Sequence, residues 1–188
     1  MLRRIVRGIG AMGRRYRAST DGATAVEFAL VAFPFFYVLG AICETGLMLF
    51  TEYVVQNTVQ DAARDVRTGQ VSTSAGVPTK TADEFKDVIC AKILTLIDCD
   101  GKVWVYVNNA ADFATLKTSI DDPLNIGQNS NGTWTTVKFE PGAKLRAAAV
   151  IATYDWDFAF PFMSFLGNVA DGEKRRLYGI AIFRNEPF

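Results

Sequence analysis

A single carboxylate stands at the mouth of a long apolar stretch. Glu27 lies five residues after Gly22 and directly before Phe28, and an acid in that position is unfavourable in lipid unless another group pairs with it. Cutting the chain after Gly22 would give Ala23 a free α-amino group, which Glu27 of a neighbouring subunit can bind. We therefore predict cleavage after Gly22 and an assembly contact between Ala23 and Glu27. The alternative is that Glu27 only marks the polar end of a helix.

The residues before Gly22 are strongly basic. They carry six arginines and one acid, so the chain after Gly22 holds 14 basic and 19 acidic side chains although the whole chain is neutral. Basic residues beside a membrane helix keep that side in the cytoplasm. We predict that residues 1–22 are a cleaved leader, that the N-terminus is cytoplasmic and that the C-terminal part lies outside. Nucleic-acid binding is not expected, because the neighbouring membrane helix explains the positive charge without such a partner.

The apolar run is long enough to cross a membrane. No charge occurs from Phe28 to Cys43, and Glu44 is the only charge as far as Thr51. About 20 apolar residues cross a bilayer, so we predict a span in lipid over about residues 24–46. A soluble core helix is disfavoured because it would show polar residues every third or fourth position. Cys43 is expected as a small buried side chain, and Glu44 as a solvated or snorkelling carboxylate at the outer interface.

The helix is predicted to continue past the membrane to residue 68. Gly69 fits a helix C-cap. Within the span, Pro34 removes a backbone hydrogen bond, and both a tolerated kink and a point that melts during assembly remain open. Beyond the span, small apolar residues recur at helical spacing and should pack on a globular head. They are Val55, Thr58, Val59, Ala62 and Val66.

Residues 69–188 have the pattern of an α+β head. Thr81 and Glu84 fit a capping box, and helical spacing continues to Ile97, so this helix is predicted to end near residues 98–101. A short helix is predicted over residues 112–120. Alternation predicts strands over residues 102–108, 134–139, 145–157 and 174–184. The predicted fold is thus a long helix over residues 23–68, followed by one or two helices on an antiparallel sheet of about three to four strands.

The cysteine and histidine content limits the chemistry of the head. Cys90 and Cys99 would lie in an oxidising compartment if the predicted orientation holds, and two cysteines there can pair. The chain has no histidine, which excludes histidine-based catalysis and histidine-ligated zinc. Two cysteines alone cannot complete a metal site. No metal, cofactor or catalytic residue is therefore predicted.

Residues 154–165 are dense in aromatic side chains. They are expected to be mostly core, with some rings exposed as a docking surface. Asp155 and Asp157 alternate with aromatic residues and share one face of a strand. Two aspartates alone are weak evidence for a glycosidase or a metal site.

Several of these features together resemble a known family. Gly22 followed by ATAVEFALV (residues 23–31), with Pro34 in the helix, is similar to the TadE-like pseudopilins, minor pilins of the bacterial tight-adherence (Tad, Flp-type IV) pilus. The terminal FRNEPF (residues 183–188) and the cysteine pair before the first strand also resemble members of this family. The likeness spans most of residues 20–188, without support from residues 109–143.

The resemblance implies a structural protein of the bacterial inner membrane with a periplasmic head, not an enzyme. It implies a processing site formed by Gly22, Ala23, Glu27 and Phe28, which a prepilin peptidase cleaves after Gly22. It also implies roles in pilus biogenesis, adherence and biofilm formation. The implied partners are other minor pilins, the major pilin and the inner-membrane assembly platform. Because the head is larger than that of a major pilin, an initiating, tip or accessory subunit is expected. The alternative is an unprocessed single-pass membrane protein whose outer domain binds a ligand or another envelope protein.

Overall fold

A long helix opens the described part of the chain. The structure, a computed structural model, describes residues 22–93, 98–99, 102–126, 138–169 and 174–188. Helix α1, Ala23–Arg67, is 45 residues long and is helical on both sides of Pro34. The chain divides into two compact units, Met1–Cys43 and Glu44–Phe188, and the second is called the head below. The predicted leader lies outside the described residues apart from Gly22.

The head is built on a three-stranded antiparallel sheet. After α1 come α2 (Ala82–Lys92), β1 (Val103–Ala110), α3 (Phe113–Ser119), a 3₁₀ turn (Pro123–Asn125), β2 (Ala147–Asp157), a second 3₁₀ turn (Pro161–Leu166) and β3 (Lys174–Arg184). The strand order is β1-β2-β3, so β2 is central. Both strand pairs are antiparallel. The predicted α+β class, with a long apolar helix before the head, is confirmed.

The two faces of the sheet carry separate parts of the core. One face packs against α1 and α2, and its buried side chains include Val55, Val59, Phe85, Val105 and Val150. The opposite face lies under α3 and the first 3₁₀ turn, and its buried side chains include Trp104, Leu116, Ile126 and Ile151. Because β2 is covered on both faces, its residues are buried from Ala147 to Asp155. The predicted small-residue stripe of α1 is entirely buried, which confirms it as the packing face.

Helix α1 ends at a glycine, as predicted. Gly69 has φ +75°, a left-handed conformation that glycine adopts without a Cβ clash. Its N–H donates to Val66 O at 3.1 Å, and Gln70 N–H donates to Asp65 O at 2.9 Å. These two bonds form a Schellman cap. A Cβ at Gly69 would lie 2.4 Å from the Phe188 ring, so the glycine also leaves room for that side chain.

Helix α2 begins as predicted but ends earlier. Thr81 Oγ1 accepts from Glu84 N–H at 3.2 Å, and Glu84 Oε2 accepts from Thr81 N–H at 2.7 Å, which completes the capping box. Ile93 has left the helix, with φ −72° and ψ 133°, so its predicted place in the helix is wrong. The physical reason is the disulfide between Cys90 and Cys99, whose Cα atoms lie 6.0 Å apart. Nine residues of continuous helix would separate them by about 13.5 Å.

The strand predictions hold where the chain is described. β3 has the predicted bounds, and β1 and β2 differ from prediction by one or two residues at their ends. β2 starts later than predicted because Leu145 has φ +64°, which is not a strand conformation. The predicted strand 134–139 lies mostly outside the described residues, as do residues 94–97 of the predicted helix. Phe139, the last residue of that predicted strand, forms a parallel bridge with Val107.

Candidate assembly helix

The N-terminal end of α1 presents the predicted processing residues. The helix starts at Ala23, and Val26 N–H donates to Gly22 O at 3.1 Å. Glu27 and Phe28 are exposed, and within the described residues Glu27 forms no salt bridge. Ala23 and Glu27 are four residues apart and therefore lie on one side of the helix. The carboxylate is thus placed one turn from the amino group that cleavage would create.

The first unit of α1 has a strongly apolar surface. An 18-residue window of the helix has a mean hydropathy of 2.1 and is not buried, so α1 is long and apolar enough to cross a membrane. Exposed apolar area of this size needs lipid or other apolar helices around it. Its exposed side chains include Phe28, Leu30, Val31, Phe33, Phe35, Phe36, Val38 and Ile42.

Cys43, at the end of this surface, is exposed. The prediction that it is a buried side chain is therefore wrong. It points outward from a helix that, among residues 22–43, has no second element to cover it. Its thiol is free, which makes it a natural attachment point for a chemical probe.

Glu44 is buried, and the prediction of a solvated or snorkelling carboxylate is wrong. Only 4% of the residue is exposed. Its Oε1 accepts from Ala159 N–H at 2.5 Å, and its Oε2 accepts from Phe160 N–H at 3.2 Å. These amides precede Pro161, where a 3₁₀ turn starts. The carboxylate therefore satisfies two backbone donors at the beginning of the β2–β3 connection, residues 158–173.

Helix α1 runs beside β3 within the head. Gln56 Oε1 accepts from Ile180 N–H at 2.9 Å, and Gln56 Nε2 donates to Ile180 O at 3.1 Å. A Cβ at Gly179 would lie 2.8 Å from Gln56 Cα, so the two backbones are in direct contact. Further along the helix, Arg67 Nη2 lies 2.9 Å from Glu186 Oε1. These contacts fix β3, an edge strand, along the side of α1.

A family model described as TadE-like protein matches residues 22–64. Over these residues the chain is similar to that family. The matched segment begins at Gly22, contains the whole exposed apolar surface and ends within the last turn of α1. No curated protein and no solved structure matches the chain.

The head beyond the matched segment contains an aromatic turn, Pro161–Leu166. Met163 is buried and anchors the middle of the turn. Arg175 Nη1 donates to Leu166 O at 3.0 Å and anchors its end. Phe160, just before the turn, is 37% exposed, and Phe165 is 77% exposed. The prediction of a mostly buried aromatic segment holds only in part, because over residues 154–165 one ring is buried, three are partly buried and two are exposed.

Asp155 forms a buried ion pair that the sequence did not reveal. Arg176 Nε lies 2.6 Å from Asp155 Oδ1, and Arg176 Nη2 lies 2.8 Å from Asp155 Oδ2. Arg176 Nη1 also donates to Leu124 O and Ile126 O, at 2.8 and 3.1 Å. Its guanidinium lies 5.5 Å from the centroid of the Trp104 ring. The pair thus ties residues 124–126 to the face of the sheet that lies away from α1.

Asp157 forms salt bridges with two lysines. Lys102 Nζ and Lys174 Nζ lie 2.9 and 3.1 Å from its oxygens. Partial burial acts to raise the pKa of Asp157, but the lysine contacts outweigh it and leave the pKa below its ordinary value. The hydrogen bond to Asp157 raises the pKa of Lys102. With both aspartates engaged by cations, and no group of three His, Cys, Asp or Glu side chains placed to hold a metal among the described residues, the geometry gives no support to a glycosidase or metal site.

A disulfide joins Cys90 and Cys99 in the head. Cys90 lies on α2 and Cys99 lies before β1, so the bridge ties the helix to the strand that follows it. A bridge across so short a loop is worth about 2–3 kcal/mol in the chain-entropy model.

An open cleft lies beside β3 on the sheet face away from α1. Its volume is about 550 Å³. The wall is mainly apolar, with Lys117 and two aspartates at the rim. Its apolar lining residues are Phe113, Leu116, Ile120, Ile180 and Ile182.

Proposed function

We propose that this chain is a minor pilin of a tight-adherence pilus, made as a precursor and assembled through its N-terminal helix. The observation that carries the proposal is the coincidence of the TadE-like segment with the exposed apolar part of α1, starting at Gly22. In the proposed organisation, residues 1–22 are the leader, residues 23–68 the assembly helix and residues 69–188 the extracytoplasmic α+β domain, which forms the head together with residues 44–68 of the helix. The sizeable head favours an initiating, tip or accessory subunit over the bulk fibre subunit.

The proposed orientation places the leader in the cytoplasm and the head in the periplasm. The six arginines before Gly22 support the cytoplasmic side. The Cys90–Cys99 disulfide supports an oxidising compartment for the head. A prepilin peptidase would then meet Gly22 at the cytoplasmic face of the membrane.

The assembly step follows from the charges at the start of α1. After cleavage, the new α-amino group of Ala23 adds to the partial positive charge of the helix N-terminus. Glu27, exposed one turn further on, is the matching anion for the amino group of a neighbouring subunit. In an otherwise apolar interface, an unpaired charge is costly, so this pair sets the axial register of one helix against the next. The neighbours would be other minor pilins and the major pilin, gathered at the inner-membrane platform, and the product would serve adherence and biofilm formation.

Cleavage is tested by mass spectrometry of the protein extracted from membranes of cells with an active prepilin peptidase. We expect a mature N-terminus at Ala23 in the wild type and a retained leader in Gly22→Ala. A Cβ at Gly22 meets no atom within 4 Å, so this variant changes the cleavage site without disturbing the described packing. Gly46→Ala is the matched control, because its Cβ also meets no atom within 4 Å. A retained leader in the wild type would contradict the proposal.

The role of Glu27 is tested by counting pili. Glu27→Gln keeps the size of the side chain and removes its charge. We expect normal cleavage and membrane insertion but loss of assembled pili, because the amino group of the neighbour loses its partner. Glu52→Gln, a charge removal further along α1, should leave piliation unchanged. Full piliation of Glu27→Gln would show that the acid is only an end-marker.

The open cleft favours one alternative, an unprocessed membrane protein whose head binds a ligand. Its apolar wall and polar rim are features of small-molecule sites. The same mass measurement separates the two proposals, since this alternative requires the leader to remain. We favour the minor pilin because the TadE-like match begins at Gly22, at the proposed cut.

A further inference from the structure

The contacts of α1 show which end of the head lies where the helix enters it. Glu44, the first residue of the head, binds the amides that begin the β2–β3 connection. Arg67, the last residue of α1, pairs with Glu186, which follows β3. The start of the β2–β3 connection therefore lies at the entry end of the head, and Glu44 follows directly on the apolar run that ends at Cys43.

Beyond Glu44, α1 remains apolar on the side away from the sheet. Leu47, Phe50 and Tyr53 are exposed, whereas Met48 and Thr51 face the head and are buried. Tyr53 lies nine residues after Glu44, about 13 Å along the helix. The level of Glu44 is therefore inside the apolar band of α1, near its outer boundary.

The burial of Glu44 agrees with this depth. A carboxylate close to lipid needs donors from the protein, and Ala159 and Phe160 supply two backbone N–H groups. The same bonds hold the start of the aromatic turn at that level. Met163 and the bond from Arg175 to Leu166 hold the rest of the turn. The exposed rings are thus presented by a fixed backbone.

We propose that the aromatic turn docks on the outer surface of the bilayer that α1 crosses, with Phe160 and Phe165 at the boundary between headgroups and acyl chains. This inference rests on the membrane-spanning helix of the proposed function and adds a second contact between the protein and lipid. Aromatic and other large apolar rings are favourable at that boundary. The bilayer is the occupant because the start of the turn is bound to Glu44, which directly follows the apolar run that ends at Cys43. Docking would hold the head in one orientation on the membrane before assembly.

Single-cysteine labelling of the full chain tests this. The disulfide occupies Cys90 and Cys99, so Cys43 is the only free thiol in the chain. Three proteins are labelled with an environment-sensitive fluorophore without reduction: the wild type at Cys43, Cys43→Ala with Phe165→Cys, and Cys43→Ala with Val77→Cys. Val77 is the matched control, because it is 60% exposed and follows the far end of α1 by ten residues. Each is reconstituted in phosphatidylcholine vesicles with a quencher near the top of the acyl chains.

We expect the labels at positions 43 and 165 to shift to shorter wavelength and to be quenched, and the label at 77 to behave as in water. A quenched label at 43 with a water-exposed label at 165 would overturn docking while leaving the membrane helix intact. Absence of quenching at 43 would overturn the membrane helix itself. A label at 165 that is shielded only at high protein density, without lipid quenching, would show a protein contact in place of lipid and would also overturn the proposal.

Discussion

Glu44 and Ala159 are 115 residues apart in the sequence and are joined by a hydrogen bond of 2.5 Å. The second carboxylate oxygen of Glu44 binds Phe160 N–H. One side chain on α1 therefore holds the backbone between the end of β2 and the start of the aromatic turn. The charged acceptor makes these bonds stronger than neutral ones. A residue that looks like a membrane-boundary marker is therefore a structural part of the head.

Replacing Glu44 by alanine should destabilise the head. The change leaves two part-buried N–H groups without an acceptor, and losing such bonds to a charged group costs about 1–3 kcal/mol. The expected result is faster hydrogen exchange of the amides of residues 159–160 and a lower midpoint of thermal unfolding in detergent. Glu52→Ala, an acid on the same helix, should change neither. Unchanged exchange at residues 159–160 in Glu44→Ala would show that the hydrogen bonds do not hold the turn.

Two glycine-to-alanine changes should alter the stability of the protein in opposite directions. At Gly179 the new Cβ would lie 2.8 Å from Gln56 Cα and 2.9 Å from Val55 O. Backbone must shift to admit it, and overpacking of this kind costs about 1–3 kcal/mol. At Gly46, inside α1 with no atom within 4 Å, alanine should stabilise the helix by about 0.5–1 kcal/mol. Thermal unfolding of both variants is the measurement, and equal midpoints would mean that α1 and β3 are less closely packed than described.

Removing one partner of the Asp155–Arg176 pair should lower the free energy of unfolding far more than replacing both partners with apolar residues. Arg176→Met leaves a buried carboxylate without its cation, for which about 3–5 kcal/mol is typical. The double change, Arg176→Met with Asp155→Leu, removes both charges and should recover much of that loss. Urea unfolding of the wild type, the two single variants and the double variant gives the coupling directly. Additive losses would show that the two residues do not act as a pair.

The Asp157 cluster should give the head a modest acid sensitivity. Its folded pKa is lowered, so its contribution to stability is present above the unfolded pKa of about 3.9 and is lost as pH falls through the folded value. Lys102 behaves in the opposite sense, because its raised pKa gives a contribution that is present at neutral pH and is lost at strongly alkaline pH. Since both side chains are more than a third exposed, the effect should stay below about 1 kcal/mol. Asp157→Asn should flatten the acid limb of a plot of unfolding midpoint against pH, and an unchanged limb would assign it to other carboxylates.

Much of the fold could be predicted because its signals are local. The buried stripe of α1 repeats at helical spacing, the Thr81–Glu84 capping box spans three residues, and β3 alternates along its whole length. Each of these patterns reports a preference of a short segment that the tertiary structure then satisfies. The end of α1 at Gly69 belongs to the same class, since glycine is the residue that a left-handed cap favours.

Two sequence predictions conflicted with each other. A helix continuing to Ile97 and a bridge from Cys90 to Cys99 cannot both exist, because a disulfide requires Cα atoms within about 7 Å. Applying that geometric limit to the sequence alone would have ended α2 before the loop. The helical spacing of apolar residues continues after Ile93, so a prediction from periodicity alone places the end of α2 too late.

The errors at Glu44 and the hidden role of Arg176 have a different cause. The partners of Glu44 are backbone amides more than 100 residues away, and no local pattern reports them. Arg176 lies in a basic run with Lys174 and Arg175, where a solvated charge is the natural expectation. Its burial depends on the cross-strand register that places it opposite Asp155. Only the paired strands make that relationship visible.

Helix α1 contacts the rest of the head at several points along its length, and this arrangement affects how the subunit responds to a pulling force. Glu44, Gln56 and Arg67 hold the sheet and its connections at the start, middle and end of the head's part of the helix. A pull along the helix axis loads these attachments together, in shear, whereas a sideways pull would open them one after another. Forced unfolding is governed by the rate at which such contacts are lost. A subunit drawn along its helix would therefore move as one piece, with its head still attached.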